Sequence, residues 1–184
     1  MHCYRFVILL ILIISLGNQI TLGQDRYRSS SGLVQFNAST PLEDIRAVNN
    51  HVNVILTDTG ELAVVLLVSE FEFPRKLMQE HFNENYIESE KYPKSYFVGT
   101  TNEFDFQSLG EDTTKISITG DLNLHGVTKK ITVQANINKI TDGIVLKSSF
   151  IIRPEDFEVA IPTLMFKKIA REVEVSFAFQ MPRQ

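Results

Sequence analysis

Thr114-Lys-Ile-Ser-Ile-Thr-Gly-Asp-Leu-Asn-Leu124 alternates from end to end. Ile116, Ile118, Leu122 and Leu124 share one phase with Gly120, and Ser117, Thr119, Asp121 and Asn123 share the other. Successive side chains of a strand point to opposite faces, so this pattern describes a half-buried strand with one apolar face. The same period continues outward. Ile131, Val133, Ala135 and Ile137 alternate with Thr132, Gln134 and Asn136, and Val173, Val175, Phe177 and Phe179 with Glu174, Ser176 and Ala178. Ile144, Leu146, Phe150 and Ile152 mark another strand, and Val34, Phe36 and Ala38 the first. Residues 52–57 and 61–68 flank the turn Asp58-Thr59-Gly60, and Phe97, Phe104 and Phe106 fall on two strands around Thr101-Asn102-Glu103. About eight strands joined by short turns predict a sandwich or barrel. Alternation along nearly the whole chain favours an all-β, eight-stranded antiparallel barrel, which leaves no open edge. A barrel of that size is filled by side chains or holds one small ligand.

Residues 74–93 break the pattern. Leu77, Met78 and Phe82 lie at helical spacing behind Pro74, so this segment reads as a short helical cap over one end of the barrel.

The N-terminus reads differently again. Arg5 precedes the apolar run FVILLILIISL at residues 6–16. That run falls short of the about 20 apolar residues a membrane span needs. It fits a secretory signal peptide over residues 1–23, cut after Gly23, with one domain over residues 24–184 whose first residues, 24–31, fray. The expected location is therefore periplasmic or secreted, without stable membrane insertion. The single cysteine, Cys3, leaves with the signal, so no disulfide is expected. The sequence carries 18 basic and 22 acidic residues; without Arg5 the formal charge is −5. No basic block stands out, which argues against nucleic acid as a partner.

His81 and His125 are the residues that invite a catalytic or metal reading. Neither stands in a metal-ligand spacing, and Ser89 and Glu90 beside His81 suit local hydrogen bonding in a capping loop. The expectation is a non-enzyme with no catalytic residues, no metal and no cofactor. Lys91, Arg153, Lys167, Lys168 and Arg171 could meet an anionic head group at a barrel mouth, with Arg153 read as a structural partner of Asp156.

Three segments resemble one known family. Residues 78–82 (MQEHF) with 89–93 (SEKYP) and then Phe97 resemble the "HF … SEKYP … F" signature of the YceI-like family. Residues 120–129 (GDLNLHGVTK) are similar to its "G-x-L-T-I-H-G-V-T-K" segment. Phe150-Ile-Ile-Arg153 followed by Asp156-Phe157 is similar to its "F-x-I-x-R-x-D-F" element, although Glu158-Val159 replaces a glycine-containing continuation. Order and spacing agree across nearly the whole domain. The resemblance implies a lipocalin-like antiparallel barrel of the kind that encloses a polyisoprenoid chain.

With that resemblance, the apolar excess on strand ends and cap becomes a candidate ligand site: Phe71, Phe73, Leu77, Met78, Phe82, Phe97, Phe104, Phe106, Ile118, Gly120, Phe150, Phe157, Leu164 and Phe166, with Met165 beside the last two. Taken singly, each is a better candidate for core packing. The expected ligand is a polyisoprenoid or other long-chain amphiphile, carried or stored; a homodimer stays open. The competing readings are a filled barrel serving as a stress-response or interaction module, and a lipid-modifying enzyme.

Overall fold

The computed structural model describes residues 26–101 and 105–184, apart from the side chains of Leu164 and Phe166. The proposed signal peptide and Phe104 lie outside these residues. Eight strands run in chain order: β1 (Arg26–Asn37), β2 (Arg46–Thr57), β3 (Glu61–Leu67), β4 (Lys94–Thr100), β5 (Thr114–Leu124), β6 (Val127–Ile140), β7 (Gly143–Ile152) and β8 (Val173–Pro182). Each pairs antiparallel with the next, and β8 pairs with β1 to close the barrel. The alternating stretch that opened the argument is β5, which pairs with β6 from Thr114↔Ile137 to Leu124↔Val127.

The first strand begins earlier than its apolar residues indicate. Residues expected to fray already pair, Arg26 with Thr57 and Tyr27 with Leu56. A register shift between Ser29 and Gly32 adds a residue to β1 and interrupts its alternation, which hides this half of β1 from a period-two reading; a second shift, opposite Gly32 and Val34, adds a residue to β2 between Asn49 and Val52. Gly32 is where the ring of Phe179 comes close; a Cβ there would sit 2.7 Å from it. β2 is likewise longer than 52–57. Its first half carries Asn49, which is fully buried but lies beyond the bulge, out of phase with Val52 and Val54. The Asn49 amide donates to the Leu67 carbonyl at 3.0 Å, and its side-chain oxygen accepts from the His51 N–H at 2.9 Å, so both ends of a buried polar group are satisfied. Phe106 corrects another expectation. It lies in a turn between β4 and β5 rather than on a strand, stacked on Tyr27 with ring centroids 6.3 Å apart. With Leu109 it plugs the end of the barrel where β1 starts.

The cap lies at the other end, between β3 and β4. It consists of α1 (Lys76–His81), a π-helical turn (Phe82–Tyr86) and a turn that leads to Pro93. Pro74 stands before this helix, and Arg75 takes the N-cap position. α1 buries no residue; Leu77 is 61% exposed. What fixes the cap is the π-helical turn. Phe82 packs against Phe36, Phe71 and Phe73 with centroids 5.5, 5.9 and 5.1 Å away. Aromatic pairs at such distances add about 0.5–1.5 kcal/mol each beyond the area they bury.

Candidate functional site: a half-hollow barrel

Along β5, β6, β7 and β8 the inward phase changes character part-way up the barrel, whereas β2 is buried along its whole inward face. On β5, Ile116, Ile118 and Gly120 are buried, while Leu122 and Leu124 are half-buried. On β6 the change falls between Val133 and Ile131, on β7 between Ser148 and Phe150, and on β8 between Phe179 and Phe177. Below this level the barrel is solid. Val52, Leu56, Ile118, Ile137, Leu146 and Met181 have no exposed surface at all. Above it, the inward side chains face a cavity of about 470 Å³. The cavity falls within the roughly 300–1,000 Å³ usual for small-molecule sites, and its walls are almost wholly apolar.

Phe71, Phe73, Leu77, Met78, Phe82, Phe97 and Phe150 line this cavity, as does Met165. Phe106, Ile118, Gly120 and Phe157, which the sequence placed in the same group, do not. Phe106 belongs to the plug and Ile118 to the solid half. Phe157 is buried in a 3-10 turn (Pro154–Phe157). Gly120 points inward, but it faces Gly99 across the β4–β5 pair; a Cβ on Gly120 would lie 2.4 Å from the Gly99 Cα and 2.7 Å from the Phe97 ring. The two glycines let these strands close under the Phe97 ring, so Gly120 serves packing rather than the size of the cavity. Leu164 and Phe166 fall on side chains outside those described, and Phe104 outside the described residues. The sequence missed Phe36, Leu122, Ile131, Val175 and Phe177 as cavity residues, although it placed Phe177 correctly on the inward face. Alternation gives the face of a residue, not its height in the barrel.

The mouth is charged. Glu43, Arg75, His81 and Lys168 all line the cavity where it opens. Arg75, at the N-cap of α1, hydrogen-bonds the Glu43 carboxylate, and Lys168 Nζ lies 4.0 Å from the other Glu43 oxygen. The bond from Arg75 holds the Glu43 carboxyl below its ordinary value of 4.5, against the opposing effect of its partial desolvation. Glu43 is itself held by the tight β1–β2 loop, where Thr40 and Glu43 exchange backbone hydrogen bonds of 2.9 and 3.3 Å. Lys168 follows a 3-10 turn (Thr163–Lys167), which the Thr40 hydroxyl anchors by donating to the Lys167 carbonyl at 2.9 Å. No sequence signal joins these residues, which come from three separate loops.

The other basic residues singled out in the sequence do not line the cavity. Arg153 pairs with Glu172, at 2.9 Å through Nη2 and 3.2 Å through Nε, and not with Asp156 as expected. Asp156 lies within the Pro154–Phe157 turn and directs its backbone N–H to the Arg153 carbonyl, whereas Glu172 stands beside Arg153 where β7 ends and β8 begins. The Glu172 hydrogen bond is also the main reason the Arg153 guanidinium is pushed above its ordinary value, with Asp156 a minor contributor. Lys91 lies 3.8 Å from Glu88 and 4.7 Å from the Tyr92 ring centroid.

His125 is structural in this arrangement. It occupies the β5–β6 turn with φ 54°, followed by Gly126 at 77°. Its Nδ1 faces the Phe157 carbonyl at 3.2 Å and its Nε2 the Glu88 carboxylate at 2.9 Å, while Tyr92 packs edge-on to its ring. The three sequence segments that carry the family resemblance therefore meet at one buried imidazole. Glu88 (φ 46°) and Glu158 (φ 57°) sit in the same left-handed region, on either side of it. At Glu158 this is the conformation that a glycine adopts without strain. Ser95, at the cavity wall, donates its hydroxyl to the Asn123 carbonyl at 2.7 Å. Among the described residues no group of three His, Cys, Asp or Glu side chains could hold a metal ion, and no helix is long and apolar enough to cross a membrane.

The YceI-like domain family model matches residues 27–181 of this chain. A UPF0312 protein of Pseudomonas putida (strain W619) is 43% identical over 54 residues, which span 29% of this chain and 25% of that relative. A UPF0312 protein of Pseudomonas syringae pv. tomato is 41% identical over 56 residues, 30% of this chain and 26% of its own length. The chain thus matches about a quarter of the length of these curated relatives. Among solved structures, a polyisoprenoid binding domain from Saccharophagus degradans superposes with a TM-score of 0.73 at 15% identity, covering 86% of this chain and 97% of that one. Burkholderia cenocepacia BcnA superposes with a TM-score of 0.67 at 15% identity, covering 80% and 94%. At these identities the likeness is one of fold.

Proposed function

The chain belongs to the YceI-like family, and on that premise we propose that it binds one polyisoprenoid or similar long-chain amphiphile in the hollow half of its barrel. One observation carries the reading: the inward side chains of β5, β6, β7 and β8 stop being packed part-way up the barrel and leave a continuous apolar cavity. A barrel that served only as a rigid module would gain stability by filling that space, since voids cost the contacts their walls lack. The tail rests against Phe36, Phe82, Phe97, Phe150 and Phe177. A cavity of about 470 Å³ takes the end of an isoprenoid tail, and a longer chain emerges at the mouth. The weakly packed α1 is the element that moves to admit it, because segments with little buried apolar surface open at the lowest cost.

The binding is that of a carrier or store. The cavity offers apolar walls, and its Ser95 hydroxyl and the buried His125 are both committed to structural bonds. The leader over residues 1–23 completes the proposal: the domain is exported and begins near Gln24, which N-terminal sequencing of the secreted product tests.

The binding test is native mass spectrometry after mild purification, together with solvent extraction and a polyisoprenol titration followed by thermal melting. One bound chain per barrel and a raised melting temperature support the proposal. No extracted lipid together with an unchanged melting temperature overturns it in favour of a non-binding barrel.

A further inference from the structure

Resting on the carrier reading, we infer that the mouth selects an amphiphile with an acidic head group, and that Glu43 is a built-in competitor occupying the place of that head when the barrel is empty. The apolar wall ends in charge at one place only among the described residues of the cavity: Glu43, Arg75, His81 and Lys168. The two permanent cations sit on different elements, Arg75 at the start of α1 and Lys168 after the Thr163–Lys167 turn. A single carboxylate stands between them, bonded to Arg75 and 4.0 Å from Lys168. The mouth therefore keeps one positive charge in excess in a chain whose formal charge is −4.

This geometry is that of an anion site with its anion supplied in cis. A guanidinium and an ammonium that converge on one carboxylate can converge equally on a phosphate or carboxylate head, with charge-assisted hydrogen bonds. A tail that fills the cavity leaves its head at this level. Movement of α1 carries Arg75 away from Glu43, so loading breaks the internal pair just when an incoming acidic head can replace it. A neutral head gains nothing from the exchange, and a cationic head meets two like charges.

The probes are three amphiphiles with one tail: farnesyl phosphate, farnesol and farnesylamine. Binding to the whole mature chain is measured by displacement of a fluorescent fatty probe. Farnesyl phosphate should bind at least about tenfold more tightly than farnesol, the worth of one charge-assisted hydrogen bond, and farnesylamine most weakly. The preference should narrow with added salt, because both cations are more than half exposed. Arg75→Gln and Lys168→Gln should each reduce the phosphate preference and leave farnesol binding unchanged. Glu43→Gln should do the opposite and tighten farnesyl phosphate several-fold, since it removes the competitor. That opposite sign separates the inference from a general loosening of the mouth, which would weaken all three ligands together, and circular dichroism checks that the variants fold. Equal affinity for phosphate and alcohol, a preference for the amine, or weaker phosphate binding in Glu43→Gln overturns the head-group inference while farnesol binding still upholds the carrier reading. Failure of all three amphiphiles to bind overturns both.

Discussion

The two halves of the barrel are built from the same strands and the same alternation, yet one is solid and the other hollow. At the solid end, Leu56, Ile118, Ile137, Leu146 and Met181 meet across the axis, and the Phe106–Leu109 loop seals them from below. At the hollow end, Leu122, Ile131, Phe150, Val175 and Phe177 hold the same inward phase but face open space, under a cap that covers them with few buried contacts. The difference teaches that stability and binding are divided by height rather than by face. The lower half can hold the closed ladder together, which leaves the upper half free to keep an apolar void.

Substitution of paired residues on one strand gives the largest contrast. Phe179 and Phe177 are neighbours on the inward face of β8, with rings stacked at 4.5 Å. Phe179→Ala, fully buried where the solid half floors the cavity, should cost about 3–5 kcal/mol in a denaturant titration. Phe177→Ala, which faces the cavity, should cost less than about 1.5 kcal/mol, as only part of its surface is buried, but it should weaken tail binding. Equal stability losses would erase the division into halves.

A smaller effect is expected at His125, which ties the hollow end together from outside the cavity. His125→Ala removes its bonds to Glu88 and the Phe157 carbonyl. It should lower stability by about 1–3 kcal/mol, the cost of leaving a buried polar group without its partner. Ligand affinity should fall only through a less ordered mouth, so a tail-affinity loss larger than that of Phe177→Ala would make His125 part of the binding site instead.

The smallest effect is a gain. Glu158 is held at φ 57°, where a residue with a Cβ costs about 1–2 kcal/mol, while glycine loses back about 0.5–1 kcal/mol of that in chain entropy. Glu158→Gly should therefore raise stability by about 0.5 kcal/mol, measured as a higher denaturant midpoint. A loss would mean that the Glu158 side chain makes a contact worth more than the strain.

These comparisons also explain what a sequence could convey. The barrel was legible because period two persists through β5, β6 and β8, and the face of each residue follows from it. The early half of β1 was not, because its bulge resets the phase, and neither was the start of β2, where a second bulge does the same and a buried Asn49 stands in an inward slot. The cavity wall was half legible: Phe82, Phe97 and Phe150 were identifiable, but nothing local separates Phe150 above the packing boundary from Ile118 below it. Height depends on how strands stagger around the closed barrel. The Glu43–Arg75–Lys168 cluster was illegible for the same reason, since its members meet only once β1, α1 and the loop after β7 are in place.

The central claim is that the hollow half alone receives the tail, and photo-crosslinking measures this directly. A farnesol analogue with a diazirine on its terminal isoprene unit is bound to the mature protein, irradiated, and the adducts are mapped by peptide mass spectrometry. The account predicts labels on Phe36, Phe82, Phe97, Phe150, Val175 or Phe177, with none on Ile137, Leu146 or Met181. Labels concentrated on the solid half, or spread over outward-facing residues such as Ile151 and Val98, would contradict it.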